Sequence, residues 1–244
     1  MTLWLAMAAF ASQVVLTTPP AARSGLAAYP RIARPVTEPA TRINAAVARL
    51  DARGRAAAAD CMAAGEERRG SWNRTVTATM RGPDFVSFLV TDDYDCGGAH
   101  PNLGHAAIVY DLATGMPVDW TRLLPHRLTG TIGLTDDGDG VQMVTLSSPR
   151  LTALYRRGYR PGYDDRELNA QCRAAIAGDG GDAVAMLAWL DGKAGGLVLQ
   201  YDLPHVMQAC SAPVTVSLGV LQREGAGLRL VRALRAARAA ERRR

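Results

Sequence analysis

Two histidines and three aspartates, His100, His105, Asp92, Asp93 and Asp95, lie close together in the chain. Imidazole and carboxylate groups are the ordinary ligands of divalent metals, so this is the cluster to test first for metal or hydrolytic chemistry. Its spacing argues against a metal. His100 and His105 form an H-x-x-x-x-H pair across a Gly/Pro segment, not two ligands on one helix face. The reading taken for His100 is structural, an imidazole hydrogen-bonded to the backbone of a tight turn, and no metal or other cofactor is expected. The run Asp136-Asp137-Gly138-Asp139-Gly140 lacks the alternating ligands and distal Glu of a calcium loop and reads as a solvated acidic turn. No G-x-S-x-G or S-x-x-K is present, and Ser147-Ser148 before Pro149 has no marked base beside it. No catalytic residue is nominated.

What positions these side chains is a marked connection. Cys96-Gly97-Gly98-Ala99-His100-Pro101-Asn102 combines a glycine pair, which admits positive φ, with a proline that fixes its own φ and biases His100 toward extended backbone. FVSFLVTDDYD (85–95) leads in and HAAIVYDL (105–112) leads out. A second turn follows from Asp111 to Gly115, within YDLATGM (110–116), before VDWTRLL (118–124).

The flanking elements follow from periodicity. Ile43, Val47, Leu50, Ala57 and Cys61 recur at helical spacing, with Thr41 as a cap and Gly65 and Gly70 as stops. WNRTVTATM (72–80) alternates with period two, and after the RGPD turn it pairs with 85–95 as a hairpin that 105–112 extends. Residues 130–148 read as the acidic turn and a short strand. Helices are expected at 151–159 and 164–178, capped by Asp164 or Asp165 and stopped by Gly178. Strands are expected at 184–190, 195–203 and 212–221. This pattern predicts an α+β fold: antiparallel sheets with helices packed on one face, in two loosely similar helix-plus-strand halves.

Four cysteines permit three pairings. No C-x-x-C occurs, so disulfides are preferred over zinc. Joining each helical cysteine to the nearest downstream strand region gives Cys61–Cys96 and Cys172–Cys210, which requires an oxidising compartment. LWLAMAAFA (3–11) is an apolar run ending in an A-x-A pattern before Ser12, too short to span a bilayer comfortably, and reads as an export leader. The net charge of +5 comes from 28 basic residues, of which only Lys193 is a lysine. Many arginines sit at the C-terminus (Arg229, Arg232, Arg235, Arg238, Arg242, Arg243, Arg244), read as a solvated, fraying helix. No basic stripe interleaved with aromatics appears, so no nucleic-acid partner is expected.

The "GGAHP" turn (97–101) followed by YDLATG (110–115) resembles the extracellular domain shared by RsiV-type anti-sigma factors and the N-terminal part of PdaC-type peptidoglycan deacetylases. YPRI (29–32), RINAAVARL (42–50, with Asn44) and 188–218 are similar to that family's opening strand, first helix and closing unit. LPHVMQACSA (203–212) departs from the family's closing "pYa.G"-like run. Thr91-Asp92-Asp93 is similar to the "T.DD" motif of polysaccharide deacetylases, but the rest of that catalytic domain is missing from the sequence. The resemblance marks Gly97, Gly98, His100, Pro101, Asp111 and Gly115 as the motif residues. It divides the chain into a leader (1–22), an N-terminal half (23–125), a C-terminal half (126–222) and an Arg-rich tail (223–244). It implies a periplasmic or secreted, non-enzymatic binding module, not an integral membrane protein once the leader is removed. Its partner would be a cell-wall glycan or an envelope protein such as lysozyme. The alternative is an envelope hydrolase acting on peptidoglycan or another polysaccharide, with carboxylates that sequence does not identify.

Overall fold

The computed structural model describes residues 13–64, 70–98, 100–136, 142–177, 183–203 and 205–243. The apolar run of the expected leader, Ala99 of the motif, the acidic residues 137–140 and the expected stops Gly65 and Gly178 lie outside them.

The first half opens with two short paired strands, β1 (Leu16–Thr17) and β2 (Arg31–Ile32), and a long helix, α1 (Glu38–Ala64). The helix begins earlier than Thr41, because Thr37 Oγ1 accepts from Ala40 N at 3.3 Å and Pro39 is tolerated in a first turn. Its buried stripe is Ile43, Val47, Asp51, Gly54, Ala58 and Cys61, which is helical spacing interrupted by one acid and one glycine. Both have partners. Asp51 accepts from Tyr29 N at 2.9 Å and pairs with Arg31, and Asn44 holds Ile32 through its N–H and C=O at 2.8 and 2.9 Å. Asn44 therefore serves as the hydrogen-bonding neighbour that β2 lacks on that side.

Strands β3 (Ser71–Arg81), β4 (Phe85–Asp95) and β5 (Asn102–Asp111) form an antiparallel sheet in the order 3-4-5. Alternate residues of a strand point to opposite faces. Asp92 of β4 therefore meets Arg74 of β3 beneath Gly54 of α1, while Ser87 points away to the second sheet. A bulge between Ala78 and Met80 joins the two sheets. Thr79 Oγ1 donates to Leu190 O at 2.7 Å, Gly192 N donates to Thr79 O at 2.8 Å, and Leu190 N donates to Ser87 Oγ at 3.2 Å.

The second half starts with a short helix, α2 (His126–Thr129), then β6 (Thr131–Asp136), β7 (Gln142–Ser147), α3 (Pro149–Gly158) and α4 (Arg166–Ala177). β8 (Met186–Asp191), β9 (Gly196–Tyr201) and β10 (Val214–Ser217) complete a five-stranded antiparallel sheet in the order 10-9-8-7-6. Asp165 caps α4 as expected, accepting from Glu167 N and Leu168 N at 2.8 and 3.1 Å. Both disulfides have the expected partners, Cys61–Cys96 and Cys172–Cys210. The fold is α+β and disulfide-stapled, and no helix among the described residues is long and apolar enough to cross a membrane.

Three expectations are corrected. Residues 130–148 hold two strands, not one. The strand expected over 212–221 ends at Ser217, and α5 (Leu218–Arg223) follows. Arg229, Arg232, Arg235 and Arg238 lie on a docked helix, not a fraying one, though Arg232, Arg235 and Arg238 are exposed on it. α6 (Leu228–Glu241) buries Leu230, Val231, Ala233, Leu234 and Ala237 in the common core. Burying three such large aliphatic side chains stabilises by roughly 1.5–3 kcal/mol each, enough to dock a helix whose other faces carry arginine. The core cluster runs from Tyr29 to Ala237 and draws on both halves.

Candidate functional site

Gly97, Asp111 and Gly115 of the motif hold turns, whereas Gly98, His100 and Pro101 are exposed. Gly97 sits at φ 83°, and its N–H is held by Asp95 Oδ1 at 2.9 Å, while Cys96 beside it is bonded to Cys61 at the end of α1. Gly98 has open space around it, and Pro101 is exposed. His100 is exposed too, and its ring makes no hydrogen bond among the described residues; only its carbonyl is used, by Asn102 Nδ2 at 3.4 Å. The hydrogen bond from the imidazole to the turn backbone expected from sequence is therefore not found among the described residues. Asp111 folds the second turn: its Oδ1 accepts from Ala113 N at 2.8 Å and its carbonyl from Gly115 N at 2.7 Å. Gly115, at φ 71°, lies so close to the start of α1 that a Cβ would stand 2.5 Å from Pro39 O. The two groups of motif residues occupy opposite ends of β5, roughly 30 Å apart by strand rise. They fix the sheet to the two ends of α1 and do not converge.

The histidine–aspartate cluster also fails to converge. Asp92 is spent on Arg74 and Trp72, and Asp95 on the Gly97 turn. His105 is the cross-strand partner of Thr91, whose hydroxyl lies 3.3 Å from Nδ1. It projects from the face opposite Asp92. Burial holds this imidazole below its ordinary pKa, against the attraction of Asp92. No group of three or more His, Cys, Asp or Glu that could hold a metal occurs among the described residues. Ser148 is the N-cap of α3, its Oγ accepting from Leu151 N at 2.9 Å, which gives it a structural task.

The structure does bring together a set that sequence reasoning did not nominate. Trp72 and Tyr94 are direct cross-strand partners whose rings stack at 4.4 Å between centroids and 12° between planes. The indole N–H donates to Asp92 Oδ1 at 2.7 Å. Asp92 is in turn gripped by Arg74, with Nε at 2.7 Å and Nη2 at 2.5 Å. Both members of this ion pair are buried, and the space they need exists only because residue 54 is glycine: a Cβ there would stand 1.6 Å from Arg74 Nη1. The stacked rings are thus set from beneath, with the polar atom of the indole already used.

Above them the alanine-rich second half of α1 leaves a hollow of about 520 Å³, bounded by Ala56, Ala57, Ala64, the Cys61–Cys96 bridge and the charged side chains of Arg53 and Asp60. Arg53 also lines a second hollow, of about 380 Å³, between α1 and the β5 strand, with Leu50, Tyr110, Val118, Trp120 and Val144 in its walls. Burial raises the Tyr110 hydroxyl to about 12, opposed by the positive charge of Arg49. Both hollows lie along α1 and have Arg53 in their walls; Tyr110 and Trp120 bring aromatic rings to one, as Trp72 and Tyr94 do to the other. Such a surface can stack an apolar face of a polar ligand and hold its carboxylate. The signal for it lay in the hairpin register: pairing 71–81 with 85–95 about Gly82-Pro83 sets Trp72 opposite Tyr94.

No family model matches this chain, and no curated protein matches it either.

Proposed function

We propose that this protein is an exported binding module of the bacterial envelope, periplasmic or secreted and of the RsiV/PdaC type, that holds a cell-wall glycan in the groove along α1. The observation that carries this reading is the stacked Trp72–Tyr94 pair, fixed from below by Asp92 and Arg74 and flanked by Arg53 and Asp60. The C–H faces of a pyranose pack on aromatic rings, its hydroxyls find a donor in Arg53 and an acceptor in Asp60, and the lactyl or peptide carboxylates of peptidoglycan match a guanidinium. The two disulfides support an oxidising compartment.

A glycosidase reading needs two carboxylates facing each other across the bound sugar. Among the described residues that line the aromatic hollow Asp60 is the one carboxylate, and Asp92 below is paired with Arg74. Binding without turnover is therefore the reading adopted. The test is co-sedimentation of the protein with purified sacculi, together with chromatography of released fragments. The wild type is expected to pellet and to release nothing; Trp72→Ala is expected to stay in solution with its fold intact by circular dichroism. Fragment release that is lost in Asp60→Asn would replace the module with a hydrolase.

A further inference from the structure

The docking of α6 creates a second concave surface, remote in character from the aromatic groove. Arg235, Arg238 and Arg242 follow one another at i, i+3 and i+7, so they share one face of the helix. With Leu218 and Ala239 they enclose a cleft of about 360 Å³. Apart from the arginines, its lining residues are apolar and bring no acidic side chain. Among the described residues no carboxylate pairs with any of the three arginines, and Glu241, the acid on this helix, meets the Gln13 side chain instead. Arg238 is also held in place. A Cβ on Gly195, which sits at φ 65° in the β8–β9 turn, would stand 2.5 Å from Arg238 Cδ, so the arginine stem lies flat against that turn.

Three cations that line one hollow, with no acid paired to them among the described residues, repel one another. A carboxylate presents two oxygens and a single charge, which one or two guanidinium groups satisfy, as Arg127 and Arg150 do for Glu224. A phosphate group presents three terminal oxygens at nearly double the charge and can engage all three forks together. We propose that this cleft binds a terminal phosphate group, a monoester with three free oxygens, carried on a soluble molecule, on a polymer or on a lipid headgroup of the phosphatidic-acid kind.

The full chain is titrated calorimetrically with pyrophosphate at low ionic strength. Separately, it is mixed with phosphatidylcholine vesicles with and without phosphatidic acid. Saturable one-to-one binding of pyrophosphate is expected, weakened about tenfold by each of Arg235→Gln, Arg238→Gln and Arg242→Gln, the scale of one charge-assisted contact. Arg232→Gln, an exposed arginine of the same helix that does not line the cleft, is expected to leave the affinity within about twofold. Acetate at matched ionic strength should not compete. Binding to pyrophosphate alone assigns the soluble or polymeric ester, and additional binding to the phosphatidic-acid vesicles assigns the headgroup. Absence of saturable binding in both arms overturns the site. So does an equal loss in Arg232→Gln, which would reduce the effect to net charge.

Discussion

Arg229 of the last helix holds Asp111 of the β5 turn with two guanidinium nitrogens: Nη2 stands 2.8 Å from Oδ1, and Nη1 bonds Oδ2. The same guanidinium lies 4.9 Å above the centre of the Phe85 ring and reaches Asp84 Oδ1 at 3.5 Å. A motif residue that looked like turn chemistry is thereby tied to an arginine that looked like solvated tail. Because Arg229 is 37% exposed, the pair is screened. Arg229→Ala is expected to cost about 1–2 kcal/mol from the ion pair and the ring contact together. Arg229→Lys should recover only part of it, since an ammonium cannot fork across both oxygens. Urea denaturation at neutral pH measures both, and full rescue by lysine would contradict the bidentate account.

The same pair sets a pH dependence. Hydrogen bonds from Arg229, followed by those from the turn backbone, hold the Asp111 carboxyl below its ordinary 3.8. A depressed folded value means that the contribution is complete above the unfolded value and is lost as pH falls through the folded one. The penalty of Arg229→Ala should therefore shrink as pH drops from about 5 to about 2. A penalty that stays constant over that interval would show that the ion pair contributes nothing.

Gly54 is the most demanding position of the groove. In Gly54→Ala the new methyl group collides with the Arg74 guanidinium, and an Arg74 forced outward leaves Asp92 buried and unpaired. The expected loss is about 3–5 kcal/mol, far above the small gain that alanine gives in an exposed helix position. The support of the Trp72 indole should go with it, visible as a shift in tryptophan emission. A stability within 1 kcal/mol of wild type, on the order of ordinary helix propensity, would refute the tight-fit reading.

Removing one sulfur of the first bridge tests the staple. Cys96→Ser frees Cys61 and releases a loop with a sequence separation of 35. The chain-entropy estimate is roughly 4 kcal/mol, and the measurement is the melting temperature with peptide mapping of the remaining Cys172–Cys210 bridge. Loss of that second bridge in the variant would mean that the two are formed interdependently.

Tyr110 reports on the closure of the apolar hollow. Its folded value is raised, from 10.0 to about 12, by burial. The stabilisation is thus fully present below 10.0 and is lost as pH rises toward 12. In a spectrophotometric titration of the native protein, the component lost in Tyr110→Phe should ionise near 12. Ionisation of that component near 10 would mean that water enters the hollow freely.

Much of the scaffold was legible because it is written in local chemistry. The alternation of WNRTVTATM, the Gly82-Pro83 hairpin, the Asp165 cap and the Cys pairing each depend on neighbours in sequence or on simple strand order. The α6 helix was misjudged because its arginines outweighed an apolar stripe at 230, 231, 234 and 237 that was plain at helical spacing. β6 was missed because Ile132 and Leu134 of this edge strand face solvent, at 42% and 65% exposure. His100 was overvalued: a side chain next to a proline turn looks fixed, yet this ring is exposed. His100→Ala should change stability by no more than about 0.5 kcal/mol. The groove was invisible for a different reason. Trp72, Tyr94, Arg53 and Asp60 lie on three elements and share no spacing, so only the hairpin register and the glycine at 54 bring them together.

The clamp between α6 and the hairpin spans 118 residues from Asp111 to Arg229 and 145 from Asp84. A ribosome releases the hairpin long before it makes the helix that closes over Phe85. Until the closing segment arrives, the first sheet lacks part of its apolar wall, and its strand pairings have no partner surface to make them permanent. Loops that close late are entropically slow. The chain is therefore obliged to complete its first sheet from the far side, with α6 acting as the bolt; a protein built this way stays threadable until that helix has been made and is free to dock.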